Sequence, residues 1–140
     1  MSVFESVPIE LVIDTSAVLA VLLREPERDG IIAVTRGATL LAAPTLPWEV
    51  GNALVALIRR RRLTGRAAQQ AWQNFQQIPV RLVDVDVGEA LEVAEALGLY
   101  AYDAYVLEAA RTRRVPLLSL DRQLQRVAAA KDILNVEVQG

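Results

Sequence analysis

One hexapeptide constrains this chain more than any other stretch: Leu11-Val12-Ile13-Asp14-Thr15-Ser16. Three apolar residues run without a polar side chain until Asp14, and two hydroxyls follow it. Such a run suits a strand buried on both faces, as in a parallel sheet covered by helices. Asp14 then falls at the strand's carboxyl end, the edge where open α/β sheets place their ligands. A carboxylate withdrawn from water there needs a partner. No basic residue stands beside it in the sequence.

Strand and helix signals alternate along the rest of the chain. Helices are expected over 17–23 (capped by Thr15 or Ser16), 27–35, 48–63 behind the breakers Pro44, Thr45 and Pro47, 66–77, 88–97, 103–113 and 121–130. Further strands are expected over 38–43, 80–85, 117–120 and 136–138. This order predicts an α/β fold with a mostly parallel sheet, in a single domain over residues 1–140. The chain is 53% hydrophobic, enough for a full core. No apolar run approaches the ~20 residues of a membrane span. Met1 to Glu10 carries two Glu and no Lys or Arg, unlike a secretory signal, so a cytoplasmic address is expected.

Absences narrow the chemistry. The chain has no His, which excludes imidazole acid–base catalysis and His-ligated zinc. It has no Cys, hence no disulfide and no thiol nucleophile. It has no glycine-rich phosphate loop of the usual spacing. Catalysis, if any, falls to carboxylates. Net charge is −2, and Lys131 is the only lysine, so positive charge is almost all Arg. Arg grips phosphate bidentately, whereas Lys offers a point charge.

Four acids fit one edge of the sheet. Asp14 ends the first strand and Asp121 follows the 117–120 strand; Glu49 and Asp103 sit in the first turns of helices that follow the sheet. Asn52 shares a helix face with Glu49. Four carboxylates brought together repel one another, and a divalent cation reverses that. An oxygen-only set suits Mg²⁺ or Mn²⁺ rather than zinc. Such a site activates water for in-line attack on phosphorus, and a phosphodiester is the substrate that needs it without histidine. Each acid also has a local reading. Asp103 and Asp121 suit helix N-caps, Glu49 suits the positive end of a helix dipole, and a lone strand-end Asp14 can be structural.

Val12-Ile13-Asp14-Thr15-Ser16 resembles the first motif of PIN-domain nucleases. Trp48-Glu49-Val50-Gly51-Asn52 resembles the second, Tyr102-Asp103-Ala104-Tyr105-Val106-Leu107 the third, and Leu118-Ser119-Leu120-Asp121 the fourth. Order and spacing match from Leu11 to Val138. The small single-domain form is similar to the VapC toxins of toxin–antitoxin pairs. The resemblance implies a three-layer α/β/α fold, Mg²⁺- or Mn²⁺-dependent endoribonuclease activity, homodimers, and a small cognate antitoxin. By that match Asp14, Glu49, Asp103 and Asp121 ligate the metal directly or through water. Thr15, Ser16 and Ser119 orient ligands or water, and Asn52 bonds near Glu49 or to RNA. The family often has Thr where Ser119 stands; Ser keeps the hydroxyl.

Other features carry two readings each. Arg59-Arg60-Arg61-Arg62 can grip RNA phosphates, or can be solvated cations favoured at a helix C-terminus. Arg111, Arg113 and Arg114 repeat that choice. Tyr100, Tyr102 and Tyr105 can stack on bases or fill the core. Val18 to Leu23 is very apolar, so an uncovered side can accept a partner helix. Two rival functions use a similar fold: a non-catalytic binding module, and a phosphoacceptor receiver-like domain. The receiver wants a lysine at a strand end, and Lys131 is poorly placed for it.

Overall fold

The computed structural model describes residues 9–140; residues 1–8 of the opening stretch lie outside the described residues. In chain order the elements are β1 (Glu10–Ile13), α1 (Thr15–Leu22), α2 (Arg28–Thr35), β2 (Thr39–Ala42), α3 (Leu46–Arg59), α4 (Gly65–Gln76), β3 (Val80–Leu82), α5 (Val87–Leu97), α6 (Ala101–Arg113), β4 (Leu117–Leu118) and α7 (Arg122–Ala130). The strands form one sheet in the order β3-β2-β1-β4, and every pairing is parallel. Two apolar layers sandwich it. Leu11 and Ile13 of β1 and Leu118 of β4 pack with α1 to α4, whereas Val12, Leu41 and Leu117 pack with α6 and α7. Alternate residues of one strand thus enter opposite layers, which is why the strands read as unbroken apolar runs. The fold is the three-layer α/β/α arrangement expected.

The strand order places the ligand edge. The chain steps from β1 to β2 to β3 in one direction, and β4 returns to the other flank of β1. A reversal of this kind opens a crevice at the carboxyl ends of β1 and β4. Asp14 and Asp121 lie there. The Asp14 amide donates to the Leu118 carbonyl at 3.1 Å, fixing the end of β1 against the end of β4.

Several boundaries differ from the sequence expectation. Helix α1 starts at Thr15, and its N-cap is Asp14 rather than Thr15 or Ser16, because the Asp14 carboxylate accepts the Ala17 amide. Helix α3 starts at Leu46, since Pro47 is tolerated in the first turn, where an amide has no helical partner. It ends at Arg59, and Arg61 adopts a left-handed backbone with φ 57°. Strands β3 and β4 are shorter than expected. The segment 136–138 is not a strand: Leu117 and Asn135 form one isolated parallel bridge, and the chain then leaves the sheet.

The departing tail crosses α2. A Cβ placed on Gly30 would lie 1.9 Å from the Gln139 carbonyl oxygen and 2.9 Å from Val138 Cγ1. Gly30 therefore admits the tail, whose Val136 and Val138 pack against the core. Alanine gains about 1 kcal/mol over glycine in a helix. Overpacking costs about 1–3 kcal/mol, and contact with a backbone carbonyl leaves no flexible neighbour to yield. The clash wins. Gly30→Ala is expected to lower Tm and to expose residues 136–140 to carboxypeptidase; a more stable variant with a protected tail would contradict this contact.

Candidate metal and catalytic site

Asp14 is 6% exposed and held from three sides. Ser16 Oγ donates to Asp14 Oδ1 at 2.6 Å, the Ala17 amide donates to the same oxygen at 3.1 Å, and Ser119 Oγ donates to Oδ2. The two hydroxyls are anchored in turn. Ser16 Oγ accepts the Leu120 amide at 2.9 Å, and Ser119 Oγ accepts the Asp121 amide at 3.0 Å. Residues 103 to 105 apart in sequence are thereby sewn into one network between β1 and β4. Gln125 braces it from α7, its side-chain amide donating to the Ser119 carbonyl.

Asp121 caps α7, accepting the Leu124 amide at 3.1 Å, so its local reading holds alongside its place at the crevice. Asp103 does not cap α6; Tyr100 occupies that position and Asp103 lies in the first turn. Glu49 lies in the first turn of α3, and Thr45 Oγ1 donates to its Oε2 at 2.7 Å. The sequence reading missed Thr45, whose place between two prolines reads only as a helix break.

Electrostatics tie the four acids together. The Asp14 carboxyl is pushed up chiefly by burial, against the three hydrogen bonds that favour its charged form, with Asp121 adding repulsion. Glu49 is pushed up by burial and by the charges of Asp14 and Asp103, while Thr45 and Thr15 act in the opposite sense. Asp103 is pushed up by burial, Asp121 and Asp14. No Lys or Arg side chain is among these causes. Among the described residues, no three acidic side chains are drawn close enough to form a ready-made metal cage. The four acids still act on one another through charge: Asp121 on Asp14 and Asp103, and Asp14 and Asp103 on Glu49. Their all-oxygen chemistry and uncompensated charge fit a hard divalent cation.

The sign of the pH dependence follows. A carboxyl whose pKa is higher folded than unfolded stabilises the fold below the ordinary carboxyl range, about pH 4, and that stability is lost as pH rises through the raised value. Asp14, Glu49 and Asp103 all lie on that side. In EDTA, this contribution to Tm is expected to fall as pH rises from about 4 toward neutrality, and Asp14→Asn should flatten the slope. An unchanged slope in thermal melts of that variant would contradict it.

Other candidates scatter more. Asn52 is exposed and lines a cleft with Val55, Ala56, Arg59 and Arg60. Arg59 to Arg62 are exposed where α3 ends. Tyr100 is 86% exposed and Trp48 71%, so exposed aromatics adjoin the segments that carry Asp103 and Glu49. Tyr105 instead packs against the second core layer. Leu19 and Leu23 line a cleft of about 440 Å³ with Ala53, Leu57 and Arg60. Lys131 follows α7, roughly 15 Å along that helix from Asp121, which gives the receiver reading no lysine at the crevice.

The model of one family, PIN domain, matches residues 11–130. The chain belongs to the PIN domain family. Solved structures agree in fold. PAE2754 from Pyrobaculum aerophilum is 26% identical, with a TM-score of 0.70 over 93% of this chain and 92% of that one. VapBC2 from Rickettsia felis, bound to a DNA fragment from its promoter, is 12% identical, with a TM-score of 0.65 over 94% of this PIN domain and 100% of that chain. VapC20 from Mycobacterium tuberculosis, described as a sarcin–ricin loop cleaving toxin, is 18% identical, with a TM-score of 0.62 over 93% and 99%. No curated protein matches this PIN domain. Among the described residues, no helix is long and apolar enough to cross a membrane.

Proposed function

We propose that this PIN domain is a Mg²⁺- or Mn²⁺-dependent endoribonuclease, the toxin of a type II toxin–antitoxin pair. The observation that carries this reading is convergence at one edge: Asp14 and Asp121 stand at the carboxyl ends of β1 and β4, and Glu49 and Asp103, in the first turns of α3 and α6, lie close enough to feel the charge of Asp14. Those four residues would hold the cation through oxygen. When bound, it lowers the pKa of a water and stabilises charge on the phosphoryl group under attack. The chain's own part is positioning. Ser16, Ser119 and the Ala17 amide fix both oxygens of Asp14, and Thr45 fixes Glu49. Exposed Tyr100 and Tyr102 offer faces for bases, and Arg59 to Arg62 offer charge for phosphates.

The cleavage activity described for the M. tuberculosis relative supports RNA as substrate. The R. felis complex supports an antitoxin partner, and the apolar cleft between α1 and α3 gives a partner helix a place to enter. A homodimer completes the proposal, and light scattering of the purified chain reads it directly. The activity test is incubation of purified protein with structured RNA in Mg²⁺, Mn²⁺ or EDTA. Cleavage confined to the metal samples and weakened by salt is the expected result. Metal-independent cleavage, or RNA binding without cleavage, would overturn the proposal; the second outcome would favour the binding module.

A further inference from the structure

We infer that Thr45 is a positioning residue for Glu49, holding that carboxylate toward the crevice instead of capping the helix it precedes. The inference rests on the metal site of the proposed function. Thr45 occupies the N-cap of α3, where a threonine ordinarily adopts extended backbone and accepts an amide from the second or third helical residue. Neither condition is met. Its backbone is helical, at φ −82° and ψ −6°, and its side chain makes no capping bond. The second helical residue is Pro47, which has no amide to give. The hydroxyl instead donates to Glu49 Oε2 at 2.7 Å, while the Glu49 amide donates to the Thr45 carbonyl at 3.0 Å.

Glu49 is thus tied to Thr45 through both main chain and side chain. Thr15, at the β1–α1 corner, acts on the same carboxylate. A helix start that forgoes its cap in favour of a carboxylate departs from local preference, as functional sites do. Partners of this kind orient metal ligands, and their loss weakens metal affinity about 10–100-fold.

The test compares wild type, Thr45→Val and Thr45→Ser. Valine keeps the shape and removes only the donor. Three quantities are measured: Tm in EDTA, Mn²⁺ affinity by calorimetry, and kcat and KM for RNA. Thr45→Val is expected to keep the wild-type Tm in EDTA, since it loses no cap. It should bind Mn²⁺ about tenfold more weakly and lose kcat at unchanged KM, and Thr45→Ser should restore both. In a Glu49→Gln background the same valine should change Mn²⁺ affinity no further, which serves even where the single variant is unstable. Wild-type Mn²⁺ affinity in Thr45→Val, or an equal loss in the Glu49→Gln background, would overturn the role of Thr45 and leave the metal site standing. Absence of Mn²⁺ binding by wild type would instead overturn the metal site and this inference with it.

Discussion

Asp14→Asn is expected to cut RNA cleavage at least about a hundredfold, since a ligand matters more than the partners that orient it, while the protein stays folded. The fold survives because Asn is nearly isosteric and is itself a good N-cap for α1. Its carbonyl oxygen can accept from Ser16 and the Ala17 amide as Asp14 Oδ1 does. Its amide then faces Ser119 Oγ, which has two lone pairs and uses one on the Asp121 amide. Burial already disfavours the charged form of Asp14, so a neutral side chain relieves that cost. Tm in EDTA should therefore be unchanged or higher. The activity fails because the crevice loses one of its negative charges and one oxygen ligand. Cleavage assays in Mg²⁺ beside melts in EDTA check both halves. An active variant would refute the assignment, and an unfolded one would make Asp14 structural.

Arg111→Ala is expected to cost the most stability among surface substitutions, on the order of 2–3 kcal/mol, with Tm lower by roughly 10 °C. The Glu108 side chain is 2% exposed, and Arg111 closes a two-pronged pair on it, Nε to Oε1 at 2.7 Å and an outer guanidinium nitrogen to Oε2 at 2.6 Å. The guanidinium is held charged chiefly by Glu108, with Glu89 adding a second carboxylate. Removing it strands a buried carboxylate. Fully buried pairs cost about 3–5 kcal/mol when broken. Arg111 is 48% exposed, so water screens part of the interaction and the lower figure applies. Replacing Glu108 by Leu in the same chain should recover most of the loss, because no charge is then left unpaired. Urea melts of the single and double variants measure this. An Arg111→Ala melt matching wild type would show that the pair contributes nothing.

Legibility in the sequence followed the range of the forces. Leu11 to Ile13 announced β1 because burial on both faces leaves a strand no polar position, and Asp14 marked its end for the same reason. The helices showed through breakers and periodicity. The cap of α1 was misplaced because Asp14, Thr15 and Ser16 are all competent caps in a row; only the depth of Asp14 makes it the one that bonds Ala17. Residues 136–138 carry strand propensity, yet the tail leaves β4 to lie on Gly30, a contact between distant residues. Arg111 stood among cations at a helix end, and nothing local reveals that α6 buries Glu108 beside it. Thr45 was hidden by its prolines. The acids were expected as a set because helix starts and strand ends share one edge, where the structure puts Asp14 beside the end of β4.

Crystals grown with Mn²⁺ test the shared site most directly through the ion's anomalous signal. The account predicts one strong peak at the carboxyl ends of β1 and β4, bonded to oxygens of Asp14 and at least one of Asp103, Asp121 and Glu49. A crevice without a peak at saturating Mn²⁺, or a peak held by other residues, would contradict it.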